Sequence, residues 1–204
     1  MKLFDFAIAP NPKKVRVYLA EKGLTLPIEP VDVPSGKNRT PEFLAAVNPL
    51  GGLPVLELDD GTHLTESLAI IHYLEELHPT PPMIGATPLE RARVRETERI
   101  CELGVLNSVA AIFQNTSPFF AGRVKQSADA AETARGRLAT ALGVLDKKIG
   151  SKTFLCGDKP TIADCTLFAA IELANFGQIA IDFPKLPNVS RWYETFKQRP
   201  SAGA

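Results

Sequence analysis

Charge of one sign is not in surplus: Lys plus Arg and Asp plus Glu each number 23 in 204 residues, for a formal net charge of zero. A chain whose main partner is nucleic acid carries a basic excess, so the forces that bind a ligand here have to be local. Cysteine is scarce too. Cys101, Cys156 and Cys165 are odd in number and lack the spacing of a metal site. No disulfide framework and no metal centre are expected, and the three read as reduced, mostly buried thiols. Long apolar runs are missing as well. None approaches the ~18 residues of a membrane span, and Pro10, Asn11 and Pro12 interrupt the N-terminal stretch before the apolar core of an export signal can form. The expectation is a soluble, cytoplasmic protein. There is no internal repeat and no low-complexity tract. What is present is ordinary for a globular chain, 45% hydrophobic and 23% charged, long enough for one large domain or two small ones.

The first eighty residues alternate strand and helix signals. Residues 2–6 form a short apolar stretch halted by prolines, after which Val15, Tyr18, Leu19 and Lys22 recur at helical spacing with Gly23 as the stop. Tyr18 is read as a packing residue. Residues 27–33 read as a second strand, and Thr40–Pro41 as an N-cap followed by the first helical position. Residues 55–58 and 62–64 flank Asp59–Asp60–Gly61, a hairpin signal. From 66 to 77, Ile70, Tyr73, Leu74 and Leu77 make one helical stripe. The order βαβ, α, ββα implies a mixed sheet with packed helices. Pro79, Pro81 and Pro82 form a stiff linker, beyond which strand signals nearly vanish and 89–113, 124–149, 162–176 and 189–199 suit helices. The division expected is 1–78, a linker at 79–86, and an all-helical domain at 87–204.

Chemistry concentrates in Asn48–Pro–Leu–Gly–Gly–Leu–Pro–Val55 and in Glu66–Ser67 at a helix start. A proline at the mouth of a strand donates nothing to the ladder. With a cis bond there, Leu53 can turn its N–H and C=O toward an extended peptide that adds on as a short strand. A helix N-terminus with a hydroxyl attracts a carboxylate, and the Glu66 carboxylate attracts an ammonium. Together they match an α-amino acid headgroup. Taken singly, Pro54 reads more often as a turn proline and Glu66 more often as a first-turn acid complementing the helix dipole; the combination favours the ligand. Thr161 and Asp164 have the spacing of a capping box, a folding device in which Asp replaces the usual Glu or Gln.

Four motifs in order resemble the soluble glutathione transferases over essentially the full length: 10–23 (PNPKKVRVYLAEKG), 48–55, 66–70 (ESLAI) and 154–164 (FLCGDKPTIAD). The resemblance implies a thioredoxin-like N-terminal domain, a helical-bundle C-terminal domain, a homodimer, glutathione as co-substrate and a detoxifying transferase activity on small hydrophobic electrophiles. It implies that Leu53 beside cis-Pro54 pairs with the cysteinyl backbone and that Glu66 and Ser67 hold the γ-glutamyl headgroup. It also sets Arg39, with Asn38, near the glycine carboxylate, where a merely solvated cation is the alternative. Leu50 stands where some classes place an aromatic key in the dimer interface.

The chain departs from the family at the thiol. A free thiol has a pKa near ~8.5, and lowering it by about two units takes about 2.7 kcal/mol. Relatives use a Ser, Tyr or Cys near the end of the first strand. Here that place holds Ala9, with Phe4 and Phe6 in the strand, and no cysteine occurs before Cys101, which argues against a glutaredoxin-like mechanism. Asn11 remains, either as a donor to the thiolate, helped by free helix N–H groups after it, or as a turn residue capping the helix. The second substrate is expected between the domains, lined by Ala9, Phe113 and Phe119 with Phe120, although each phenylalanine also suits a core. His63, His72 and His78 show no metal spacing; His63 reads as a strand residue and His72 as a helical one. Charges in 90–102 are expected to pair as Arg95–Glu98 and Glu96–Arg99 along a solvated or dimer-facing surface. Three functions fit: a conjugating transferase, a glutathione-dependent isomerase or dehalogenase, and a binding module that kept the fold without the chemistry. Against a zeta-type isomerase stands Ala9–Pro10–Asn11 in place of a Ser–Ser–Cys stretch.

Overall fold

The computed structural model describes residues 1–204, which fall into two compact units: Met1–Pro82 with Gly203–Ala204, and Met83–Ala202.

The first unit is built on a four-stranded mixed sheet in the order β2-β1-β3-β4. Strand β1 (Lys2–Asp5) alternates half-buried and buried residues. Helix α1 (Pro10–Lys22) starts on a proline whose missing N–H costs nothing there and stops at Gly23, which takes φ 66°. Strand β2 (Ile28–Pro30) lies parallel to β1 at the sheet edge. It is shorter than the seven residues expected because Pro27, Pro30 and Pro34 cannot donate to a ladder. Thr40 caps α2 (Pro41–Ala46), accepting from the Phe43 amide at 3.3 Å. Strands β3 (Val55–Glu57) and β4 (His63–Thr65) form the expected hairpin, turned by Gly61 at φ 81° and by the Thr62 amide on Asp60 Oδ1 at 2.9 Å. Helix α3 (Ser67–Leu77) closes the unit. Leu3, Val15, Leu56, Ile70, Ile71 and Leu74 are its core. Tyr18 packs there as expected, and its hydroxyl also donates to Glu75 Oε2 at 2.8 Å. The same carboxylate takes the Lys22 ammonium at 3.0 Å, and Lys22 donates on to the Pro81 carbonyl at 2.6 Å. A buried charge stays only when paired in this way; here the pairing pins α1 to α3.

The second unit is helical throughout: α4 (Pro88–Arg99), a π-helical stretch (Ile100–Leu106), α5 (Asn107–Thr116), α6 (Ala128–Ile149), α7 (Ile162–Phe176) and α8 (Pro187–Phe196). The single helix expected over 89–113 is therefore interrupted. In the π stretch a Cβ on Gly104 would lie 2.7 Å from the Ala141 Cβ, so the bare glycine sets how closely α6 approaches. Three helix starts differ from expectation because caps override the apolar pattern. Thr87 and Glu90 form a reciprocal capping box for α4. Ser127 accepts from the Ala130 amide at 3.2 Å and delays α6 to Ala128. Asp146 of α6 accepts the Asn188 and Val189 amides at 2.8 Å each and so starts α8 early.

Helix α7 is buried nearly all round and forms the centre of the unit. The Thr161–Asp164 box is present and larger than a local cap. The fully buried Asp164 carboxylate accepts from the amides of Leu155 (2.9 Å) and Thr161 (2.8 Å), the Thr161 hydroxyl (2.9 Å) and the Trp192 indole (2.8 Å). The charges of α4 pair differently from expectation. Glu96 reaches Lys148 of α6 at 2.7 Å, Arg99 takes Glu102 at 3.3 Å, and Glu98 is buried with the Thr166 hydroxyl on its Oε1 at 3.2 Å. One side of this charged stretch is therefore core, not solvated surface.

Candidate functional site

Hairpin register places the site. Val55 is opposite both Phe4 of β1 and Thr65 of β4. Leu53 and Pro54, just before Val55, thus share one end of the sheet with Glu66 and Ser67, just after Thr65. The chain leaving β1 toward α1 emerges at that same end. The Leu53–Pro54 bond is cis. Neither the amide nor the carbonyl of half-buried Leu53 bonds to any other group of the chain. Backbone groups inside a fold are nearly always paired, so this pair marks an edge prepared for an incoming strand.

The loop before Leu53 is held from three sides. Buried Asn38 donates to the Gly51 carbonyl at 2.7 Å, and Arg39 donates to the Leu50 carbonyl at 2.8 Å. Asn48 donates to the Gly52 carbonyl at 2.9 Å and accepts from the Leu50 amide at 2.9 Å. Gly51 sits at φ 61°, where a Cβ would fall 2.6 Å from the Asn38 carbonyl oxygen, so the clamp also requires glycine. Asn38 has its side-chain amide engaged inside the protein, whereas Arg39 is exposed with further N–H groups to offer. Sequence reading passed over Asn48 as a motif letter; an Asn three residues before a Gly–Gly pair is the signal that finds it.

Glu66 adopts φ 66° and ψ 113° immediately before α3, and its exposed carboxylate makes no bond within the chain. Such a backbone costs a non-glycine residue about 1–3 kcal/mol and clusters at functional positions. Next to it Ser67 is buried, and the amides of Ser67, Leu68 and Ala69 are unengaged at the positive end of the helix. The Ser67 hydroxyl donates toward Asn11 Oδ1 at 3.5 Å, the outer limit of a hydrogen bond. Asn11, Ser67, Glu66 and the Leu53 backbone are therefore brought together.

Asn11 is the second residue of α1, not its cap; the N-cap is Ala9, which makes no side-chain bond. The turn-capping reading of Asn11 is thereby excluded. The expectation of free amides following it is also corrected. Pro12 has none, and the Lys13 amide is taken by the Ala9 carbonyl at 3.1 Å. Positive potential at this helix end rests on Asn11 alone, through its own unengaged amide and its side-chain NH2.

In the helical unit, Phe113 of α5 meets Phe120 (5.6 Å between centroids) and Phe176 of α7 (5.8 Å), and Phe120 meets Phe119 (5.0 Å), all edge-to-face. Phe119 is 43% and Phe176 56% exposed, so this cluster is surface, not core. Phe176 was missed from sequence; its signal is a phenylalanine closing a helix directly before Gly177, where a Cβ would crowd the Phe113 ring at 2.8 Å. His63 lies on β4 and His72 on α3, and no three His, Cys, Asp or Glu side chains are grouped to hold a metal.

A mixed sheet with this strand order and helix placement, together with an all-helical unit, is the architecture of a thioredoxin-like domain joined to a helical bundle. Comparison with known proteins carries the assignment further. The glutathione S-transferase N-terminal domain family matches residues 3–82, and the corresponding C-terminal domain family matches residues 108–200. Glutathione S-transferase 2 of Saccharomyces cerevisiae is 31% identical over 98% of this chain and 87% of that protein. A maleylacetoacetate isomerase of Pseudomonas aeruginosa is 30% identical over 93% of this chain and 89% of that protein. The crystal structure of Gtt2 from Saccharomyces cerevisiae superposes with a TM-score of 0.91 at 30% identity, over 100% of this chain and 99% of that one. The chain belongs to the glutathione S-transferase family, whose co-substrate is glutathione.

Proposed function

We propose that this chain conjugates glutathione to small hydrophobic electrophiles. The observation that carries the reading is the unpaired Leu53 backbone lying at the same sheet end as Glu66, Ser67 and Asn11. Leu53 pairs with the cysteinyl backbone of glutathione, the Ser67 hydroxyl and the α3 amides take the γ-glutamyl carboxylate, and Glu66 takes its ammonium. Arg39 neutralises the glycine carboxylate. Asn38 contributes by holding the loop through Gly51.

The reaction needs a thiolate. Asn11 donates its NH2 to the sulfur and so favours the ionised form. The sulfur attacks the carbon bearing the leaving group, a C–S bond forms, the C–X bond breaks, and the halide departs with the bonding pair while the thiol proton goes to solvent. Phe113 and Phe119 offer apolar surface suited to a hydrophobic electrophile. The three free cysteines support a reducing, cytoplasmic setting, and membership of this family favours a homodimer.

Retention on immobilised glutathione and turnover of 1-chloro-2,4-dinitrobenzene test the reading. Binding without turnover on a broad panel of electrophiles would instead identify a module without the chemistry. Asn11→Ala should raise the pKa of the bound thiol, followed by thiolate absorbance; an unchanged titration removes Asn11 from the mechanism. Similarity to the Pseudomonas isomerase favours a second reading, glutathione-dependent isomerisation. It is distinguished by glutathione that is not consumed.

A further inference from the structure

Helix α1 is held near both of its ends, by different means. Toward its C-terminus, Tyr18 and Lys22 both reach Glu75 of α3. Its N-terminal turn is poor in donors, because Pro10 and Pro12 have no N–H. The bond between the Ala9 amide and the Phe6 carbonyl, at 2.9 Å, lies within the loop 6–9 and cannot fix that loop against the sheet. Arg16 supplies the missing link. Its guanidinium donates from Nη1 to Asp5 Oδ1 at 2.5 Å and from Nη2 to the Ala7 carbonyl at 2.8 Å. Asp5 ends β1, is buried, and accepts the Val31 amide on its own carbonyl at 2.8 Å, so it belongs to the sheet. One planar fork therefore joins the sheet, the loop and the helix.

The fork lies on the side of α1 turned from the candidate site. At 3.6 residues per turn, Arg16 points about 140° away from Asn11, five residues earlier, whereas Tyr18 returns to nearly the same face as Asn11. Asn11 meets Ser67 at 3.5 Å, the limit of a hydrogen bond, so a small rotation of the first turn changes what its NH2 can reach. A reacting group misplaced by about 1 Å can cost on the order of 100-fold in rate.

We propose that Arg16 is a positioning residue for the thiol step: its two-pronged bond to Asp5 and Ala7 fixes the first turn of α1 and so aims the Asn11 carboxamide at the sulfur of glutathione. This rests on the transferase reading and deepens it by naming what orients Asn11. If Arg16 served only to neutralise the buried Asp5 carboxylate, any cation of similar reach would do. A lysine ammonium is such a cation, a compact charge that does not reproduce two N–H groups diverging in one plane. Arg16→Lys therefore keeps the ion pair and the net charge while loosening the loop. A change in the thiol of that variant cannot come from lost charge.

The test follows thiolate absorbance of bound glutathione against pH, together with kcat and KM for glutathione with 1-chloro-2,4-dinitrobenzene as electrophile. Arg16→Lys should melt close to wild type yet move the thiolate titration up by about one pH unit, which is an about tenfold smaller thiolate fraction below the midpoint. Its kcat at neutral pH should fall about tenfold while KM for glutathione stays within about twofold, because Leu53, Glu66 and Ser67 still hold the peptide. Arg16→Gln, uncharged and without the fork, should shift the titration the same way, so either variant suffices if the other does not fold. In an Asn11→Ala background Arg16→Lys should add no further shift, as expected of two residues acting as one unit. A titration of Arg16→Lys that coincides with wild type, or shifts that add in the double variant, overturns the proposal. The reading beneath fails differently: a wild type that binds no glutathione, or binds it without lowering the pKa of its thiol, removes the transferase assignment whatever Arg16 does.

Discussion

Replacing Asp164 by alanine should come close to unfolding the helical unit. The carboxylate is fully buried and accepts four hydrogen bonds, three of them from fixed donors: the Leu155 amide, the Thr161 amide and the Trp192 indole. Burial pushes the carboxyl up from its ordinary range, and these donors pull it back. Alanine leaves each fixed donor buried without a partner, at about 1–3 kcal/mol apiece. The sum is about 3–9 kcal/mol, set against a total stability of roughly 5–15 kcal/mol for a domain. Thr161→Ala removes only the hydroxyl and should cost about 0.5–2 kcal/mol, the range of an ordinary cap. Asp164→Asn should fall between, because its NH2 must face the Thr161 or the Leu155 and Trp192 donors. Urea unfolding measures all three, followed by fluorescence of Trp192, the single tryptophan, and by circular dichroism. A loss under about 1 kcal/mol for Asp164→Ala, no larger than that of an ordinary cap, refutes the idea that one carboxylate joins the 155–161 loop, α7 and α8.

Two further outcomes follow from the geometry. Glu66→Gly relieves the φ 66° backbone and should stabilise the first unit by about 1 kcal/mol while weakening glutathione binding at least ~10-fold. A variant that is less stable, or that binds as before, contradicts the assignment of that strain to ligand binding. Tyr193 is half-buried and donates to Glu172 at 2.7 Å, and burial together with that carboxylate pushes its phenol up from 10.0 to about 12. Tyrosinate absorbance should therefore show a step near that pH that disappears in Tyr193→Phe and moves down in Glu172→Gln. Because the unfolded phenol ionises first, Tyr193 should withdraw stability as pH rises from 10.0 toward about 12.

Local chemistry was legible in the sequence wherever one or two residues decide it. Gly23, Thr40, Asp60–Gly61 and the Thr161–Asp164 pair each stop, start or turn an element by their own hydrogen bonds or φ angle, and each does so in the structure. The Thr87–Glu90 box was equally legible and went unread. What sequence did not supply depends on partners far along the chain. Glu98 is core because Thr166 reaches it, Glu96 pairs with Lys148, and Asp146 starts α8 from another helix. The same division holds at the candidate site. Leu53, Pro54, Glu66 and Ser67 stand in one motif pattern and meet through the hairpin register. Asn48 as the loop's internal brace, and Phe176 against Phe113, follow from side-chain directions that spacing does not encode.

Amide-resolved NMR of the labelled chain during a glutathione titration bears most directly on the central claim. The Leu53 amide, unpaired in the free protein, should shift downfield with saturation and gain protection from solvent exchange, in step with shifts at Ser67 and Leu68. Amides of Leu53 and Ser67 that stay in place and keep exchanging at millimolar glutathione would show that no peptide docks along this edge.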